Sequence, residues 1–357
     1  MRGGAVVQRP FAALWVVLIS FLTAITAPLA AQLHPRPARE PIITRLNSRF
    51  DRLVPAGARL ERIADDHGWA EGPAWVSAGG YLLFSDVVKN AIYRWREGEG
   101  ERLFLQASGY TGRTPFAGAE PGSNGIVVDR EGRIVFCQHG DRRIVRREPS
   151  GRLTVLVERY RGKRLNSPND LVFKSNGDLY FTDPPFGLPQ SYRDPGKELP
   201  FQGVYRLARD GTLTLLTTEL SGPNGIAFSP DERTLYVSNA DAGRLVWLAF
   251  SVQEDGTLGP GRVFYDGTAS FAGRHGTADG MKVDARGNLF GVGPGGVYVF
   301  SPDGLLLGWF DFGGNVGNVA WGEDGSTLFI AANAAVYRVR LSTLGAGFER
   351  HEAQRGR

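Results

Sequence analysis

Six positions in the chain share a context and, in five cases, a hard oxygen donor: Glu71, Asn124, Asn169, Asn224, Asp279 and Gly317. Each opens one of six similar segments: "EGPAWVSAGGYLLFSD", "NGIVVDREGRIVFCQH", "NDLVFKSNGDLYFTD", "NGIAFSPDERTLYVSN", "DGMKVDARGNLFGVG" and "GNVAWGEDGSTLFIAAN". Two of the donors are carboxylates and three are amides. Burying such groups without partners costs several kcal/mol, so packing alone does not call for them. Grouped together, they suit a Ca²⁺-like cation, which takes six to eight oxygen ligands. No His or Cys cluster competes, so a dedicated zinc site is disfavoured. Asn and Asp also favour turns ahead of strands. One such residue would carry little weight; five in register carry far more.

A second set follows 14 to 16 residues after the first: Asp86, His139, Asp183, Asn239, Gly293 and Asn333. Five of these carry side chains that could titrate or hydrogen-bond firmly, although strand ends commonly carry Asp and Asn. His139, in "CQHGDRR", is the member best suited to touch a substrate, and Asp183 is a second candidate.

The segments themselves dictate the scaffold. Each reads as a polar residue, a small residue, alternating apolar residues, a turn with Gly or Asp, and then a second apolar run. That is two strands joined by a tight turn. A further strand pair follows, clearest in "NAIYRWREGEGERLFLQA" and "GVYRLARDGTLTLLTT". Four strands per unit, repeated six times at intervals of 38 to 55 residues, predict an all-β, six-bladed β-propeller. The last unit supplies only three strands. "ARLERIADD", Ala58 to Asp66, is therefore expected to close the ring as its outer strand. In such a fold the first strand of every blade lines the central channel, and the six aligned positions form a ring at one mouth. The second strands return to the same mouth.

Composition agrees. Of 357 residues, 42% are hydrophobic and 22% charged, and 48 are glycine, roughly twice the usual share. The net charge of +4 is too small to argue for nucleic acid or an anionic membrane. One cysteine, Cys137, cannot form an internal disulfide, and "IVFCQ" gives it a packing role. Arg2 and Arg9, the apolar run "FAALWVVLISFLTAITAPLAAQ" and its small-residue end describe a secretory signal peptide over 1–31. An export route to the periplasm follows, with no stable membrane insertion after cleavage near Gln32. A linker is expected over 32–57, the propeller over 58–345 and a tail over 346–357.

"EGPAW", "NSPNDLVF", "FTDPPFGL", "GPNGIAFSPD" and "ADGMKVD" resemble the gluconolactonase branch of the senescence marker protein/gluconolactonase/luciferin-regenerating enzyme family, from Gly68 to Leu341. The resemblance implies a six-bladed propeller with one divalent metal in the channel, Ca²⁺ first, with Zn²⁺, Mg²⁺ or Mn²⁺ as alternatives. It places metal ligands at Glu71, Asn224 and Asp279, with Asn169 as a further ligand or substrate contact. The general base of the family matches Asp279. It implies a sugar lactone as substrate, D-glucono-1,5-lactone opening to gluconate. In that chemistry the cation polarises the carbonyl, Asp279 takes a proton from water, and no covalent nucleophile is needed. No G-x-S-x-G elbow is present. Asn124, His139 and Arg164 are candidate substrate contacts, and no family role carries onto Asn124. Loops holding Arg113, Arg164, Arg274 and His275 gather at the same mouth, and "PPFGLPQSYRDPGKELPFQG" is a candidate lid. Two other readings stay open: a phosphotriesterase-type propeller and a non-enzymatic binding module.

Overall fold

The structure, a computed structural model, describes residues 1, 3, 4 and 40–348. The chain forms a six-bladed β-propeller, with blades over residues 70–106, 123–157, 171–217, 223–266, 281–311 and 316–340. Within each blade the strands pair in sequence order, all antiparallel. Short strands with buried first and second members satisfy the backbone inside each blade, while apolar side chains pack between neighbouring sheets. Phe290 of blade 5 meets Trp321 of blade 6 edge-on at 5.0 Å. Tyr180 of blade 3 meets Phe228 of blade 4 at 4.9 Å. Trp75 of blade 1 stacks on Phe329 of blade 6 at 5.6 Å. Cys137 is fully buried with Leu171 and Phe181 between blades 2 and 3, and burial pushes its thiol pKa up. That is the packing role expected of it.

The ring closes as the sequence predicts. Glu61–Ala64 pairs antiparallel with Ala335–Arg340, setting Glu61 opposite Arg338 and Arg62 opposite Tyr337. Residues 40–57 are more than the linker their neighbourhood suggested. Ile42–Arg45 adds a fifth strand to blade 5, Ile42 opposite Asp311, and Ser48–Asp51 makes one helical turn that buries Phe50 completely. The apolar Phe50, Leu53 and Val54 join the core between blades 5 and 6, so this segment covers an edge strand that would otherwise be open to pairing. At the other end Ala346 donates to the Val283 carbonyl at 3.0 Å. The described part of the expected tail is therefore packed. The leader and its cleavage point near Gln32 lie outside the described residues, apart from residues 1, 3 and 4. Among the described residues no helix is long and apolar enough to cross a membrane.

Closure also rests on a buried polar bridge. The His67 backbone donates to the Ala334 carbonyl at 3.0 Å. Its ring lies 3.2 Å from Asp86 Oδ2 and 3.0 Å from Glu101 Oε2, between Phe84 and Tyr93. Burial opposes charge on His67, but the bonds to Asp86 and Glu101 outweigh it and raise its pKa. Burial opposes charge on Asp86 too, and the bonds from His67, Lys89 and Gly68 reverse it, lowering its pKa. The raised histidine contributes stability that is complete below its unfolded pKa of about 6.5 and fades as pH rises through its folded value. The lowered aspartate contributes above about pH 4 and fades in acid. Thermal melts of His67→Asn beside the parent should show the largest deficit between about pH 4 and 6.5, shrinking on both sides. A pH-independent difference would show that the ring acts only by filling space.

Candidate functional site

Six links join the head of each first strand to the next and set the aligned positions around the channel. A Cβ on Gly72 would overlap the Asn124 carbonyl. Gly125 N donates to Asn169 O at 2.8 Å. Thr182 Oγ1 donates to Asn224 O at 2.7 Å. A Cβ on Gly225 would overlap Asp279 O. Gly280 N donates to Gly317 O at 2.9 Å. A Cβ on Gly317 would strike Glu71 Oε1, with Glu71 Cδ only 2.6 Å away. The circuit closes on itself.

Strand pairing slips at these residues. Register shifts fall between Glu71 and Ala74, Ser123 and Ile126, Pro223 and Ile226, and Val316 and Asn318. In blades 3 and 5 the regular strand starts only after Asn169 and Asp279, at Leu171 and Met281. A bulge re-aims a side chain that a flat ladder would commit to one face. Hydroxyls on the second strands brace the result: Ser85 Oγ donates to Asn124 O at 2.8 Å and Ser238 Oγ to Asp279 O at 2.8 Å, as Thr182 does for Asn224.

The ring is electrostatically incomplete by itself. Glu71, Asn124, Asn169 and Asn224 are buried, and Asp279 is partly exposed. Glu71 Oε2 accepts from Gly72 N at 2.8 Å. Burial, with Asp170 and Glu120 adding repulsion, still pushes its pKa up to about 8. Burial and the Glu71 carboxylate raise Asp279 well above the usual range. The Oδ1 atoms of Asn124 and Asn224 are buried without a hydrogen-bond partner. Two confined carboxylates and two orphaned amide oxygens form a donor set that fits a hard divalent cation. Among the described residues no group of three or more His, Cys, Asp or Glu is placed to hold a metal; the set here depends on amides.

The second set turns out differently. Asp86 accepts from Gly68 N at 2.9 Å and Lys89 N at 2.9 Å. Asp183 accepts from Asn166 N at 2.8 Å and Ser167 N at 2.9 Å, and Asn239 from Gly222 N at 2.8 Å. These side chains anchor the loop that enters each first strand. Asp183, expected to touch substrate, is fully buried with both oxygens committed to backbone, and burial raises its pKa to about 7. Asn333 and His139 are the exceptions: both are fully buried, and neither the Asn333 amide nor the His139 ring has a hydrogen-bond partner. His139 Nδ1 lies 3.3 Å from Glu120 Oε2.

The loop cations divide. Arg164 donates to Asp141 O at 2.9 Å, bracing the loop that follows His139. Arg274 pairs with Asp311 at 3.0 Å and lies over Tyr298 and Trp309. Arg113 and His275 are exposed. The expected lid is a tethered wall: Ser167 Oγ holds Pro184 O and Gly187 N, Arg142 Nη1 holds Gly196 O at 2.8 Å, and Asn166 holds Phe201 O.

Two carboxylates escaped the sequence reading. Glu120 sits in a loop outside the repeat, where alignment has nothing to compare. Asp170 follows Asn169 where blades 1, 2, 4 and 5 have glycine, and that break in the pattern was a usable signal. Asp170 Oδ1 accepts from Leu171 N at 2.9 Å and fills the space over Gly125. Asn318 does the same over Gly280.

Gly317, the position without a donor, is explained by Glu71, whose carboxylate occupies the space a side chain would need. Gly317→Ala should displace the flexible end of Glu71 and leave the backbone in place. The expected result is a near-parental melting temperature with kcat/KM reduced about 100-fold, the scale of a 1 Å misplacement. Parallel melts and initial rates check it, and unchanged kinetics would contradict the role given to Glu71.

Comparison with known proteins bears on the fold and the family. Residues 69–334 match the model of the SMP-30/gluconolactonase/LRE-like region. A gluconolactonase of Zymomonas mobilis is 43% identical over 313 residues, covering 85% of this chain and 87% of its own. A gluconolactonase from Xanthomonas campestris superposes with a TM-score of 0.73 at 36% identity, over 86% of this chain and 96% of that one. Lactonase drp35 of Staphylococcus aureus is 29% identical over 55% of this chain and 58% of its own. With the matched region running from the strand that carries Glu71 into the last blade, the chain belongs to the SMP-30/gluconolactonase/LRE-like family.

Proposed function

We propose that this protein is a cation-dependent sugar lactonase that opens D-glucono-1,5-lactone to gluconate, with Asp279 as general base. The observation that carries the reading is the ring itself: Glu71 and Asp279 confined together beside the orphaned oxygens of Asn124 and Asn224. The two gluconolactonase relatives support the substrate class.

Glu71, Asn169, Asn224 and Asp279 would hold the ion, Ca²⁺ first among hard cations. A divalent cation there supplies Lewis acidity for the lactone carbonyl and lowers the pKa of nearby water. Glu71 is fixed by Gly72 N and by Trp69. Asp279 is the more exposed of the two carboxylates and would take the proton of an attacking water. Asn124 and His139 would orient the substrate, and the wall over 184–202 would limit access of bulk water. Initial rates on a panel of sugar lactones, with and without chelator, test the proposal. Rates equal to spontaneous opening across the panel would refute it.

Export is part of the same reading. Mass spectrometry of the periplasmic protein should find a mature N-terminus near Gln32. Recovery of only full-length chain, in membranes, would refute processing.

A further inference from the structure

His139 is an unusual residue to leave without partners. It is fully buried, and both Nδ1 and Nε2 lack a hydrogen bond. Burying such a ring unpaired costs stability, so its polar edge is built for something else. Its surroundings fix it. The His139 backbone donates to Gly122 O at 3.1 Å, and Gly122 N donates to Val87 O at 2.8 Å. Gly187 of the 184–202 wall packs against the imidazole so closely that a Cβ there would collide with it.

Glu120 lies two residues before Gly122 and places Oε2 3.3 Å from His139 Nδ1. About a quarter of its side chain is exposed. Its carboxylate adds repulsion to both Glu71 and Asp279, so it belongs to the surroundings of the ring. Tyr110 and Phe116 pack together at 5.1 Å in the same loop, whose backbone N–H groups at Gly109 and Thr111 donate to Asn90 and Asp141.

We infer that Glu120 and His139 form a clamp for the hydroxyl groups of a polyhydroxylated ligand. The inference rests on the sugar-lactone reading and names the groups that would select such a substrate. Vicinal hydroxyls both donate and accept. A carboxylate accepts two of their protons, and an imidazole whose Nδ1 faces that carboxylate presents Nε2 as an acceptor. An unsubstituted lactone offers nothing to either group. The clamp therefore acts on substrate choice, and the ring acts on the carbonyl.

The test uses two lactones and one inert ligand on the full, metal-loaded protein. D-glucono-1,5-lactone carries the hydroxyls and δ-valerolactone lacks them; D-glucono-1,5-lactam binds without being hydrolysed. Glu120→Gln and His139→Gln should each lower the kcat/KM ratio of the hydroxylated to the plain lactone about tenfold, and raise Kd for the lactam about tenfold, as expected for one lost charge-assisted hydrogen bond. The double variant should lose little more than either single one. An unchanged ratio and Kd, or an equal loss on both lactones, would overturn the clamp. If His139→Gln fails to fold, Glu120→Gln at its more exposed position decides alone. Lactam binding that depends on Glu120 in a protein that opens no sugar lactone would refute the proposed reaction and leave the clamp standing. Normal sugar-lactone turnover and selectivity in Glu120→Gln would do the reverse.

Discussion

Asp279→Asn is expected to lower turnover by about 100-fold or more, the low end for loss of a general base, while much of the cation affinity remains. The substitution keeps an oxygen at the same branch point. The backbone that places it is held independently: Asp279 N donates to Val292 O at 3.1 Å, and Asp279 O accepts from Ser238 Oγ at 2.8 Å. Geometry should therefore survive, and only proton acceptance is lost. A carboxylate beside a cation is a weaker base than a free one, but the same cation acidifies the water, so donor and acceptor remain matched. His139→Ala, by contrast, should act on KM more than on kcat, because His139 sits outside the ring against Glu120. Steady-state kinetics with equilibrium cation binding on both variants separate the cases. Near-parental turnover in cation-loaded Asp279→Asn would make His139 the first suspect for the base.

Removing the cation should have the other large effect. In its absence the Glu71 and Asp279 carboxylates repel one another and two amide oxygens stay unpaired. Stripped protein should lose turnover and melt at lower temperature, and excess Ca²⁺ should restore both. A ligand at a thousand times its Kd stabilises the folded state by about 4 kcal/mol. Melts that ignore chelation and Ca²⁺ would contradict the ring as a cation site, whatever the kinetics show.

Much of this was legible before the fold was known. The six hairpins were readable because inner strands alternate and their turns carry Gly or Asp, and three strands in the last unit pointed to Ala58–Asp66 as the latch, within which Glu61–Ala64 forms the strand. The ring was readable because Glu71, Asn124, Asn169, Asn224 and Asp279 fall at one register. Three things were hidden. The bulges that aim these residues inward leave no composition signal beyond the following glycine, whose cause is a carbonyl from the next blade. Asp183 and His139 share a register but differ in what reaches them: loop N–H groups saturate Asp183 and miss His139. Glu120 comes from an irregular loop, and only the folded chain brings it to His139. The strand over Ile42–Arg45 was masked by the Pro- and Arg-rich residues before it.

The most direct test is the initial rate on D-glucono-1,5-lactone, followed by acid release and set beside a phosphotriester such as paraoxon, with cation-loaded protein. The account predicts lactone opening well above the spontaneous rate, saturable in substrate, with phosphotriester turnover far below it. Lactone opening at the spontaneous rate, with or without phosphotriester cleavage, would contradict it.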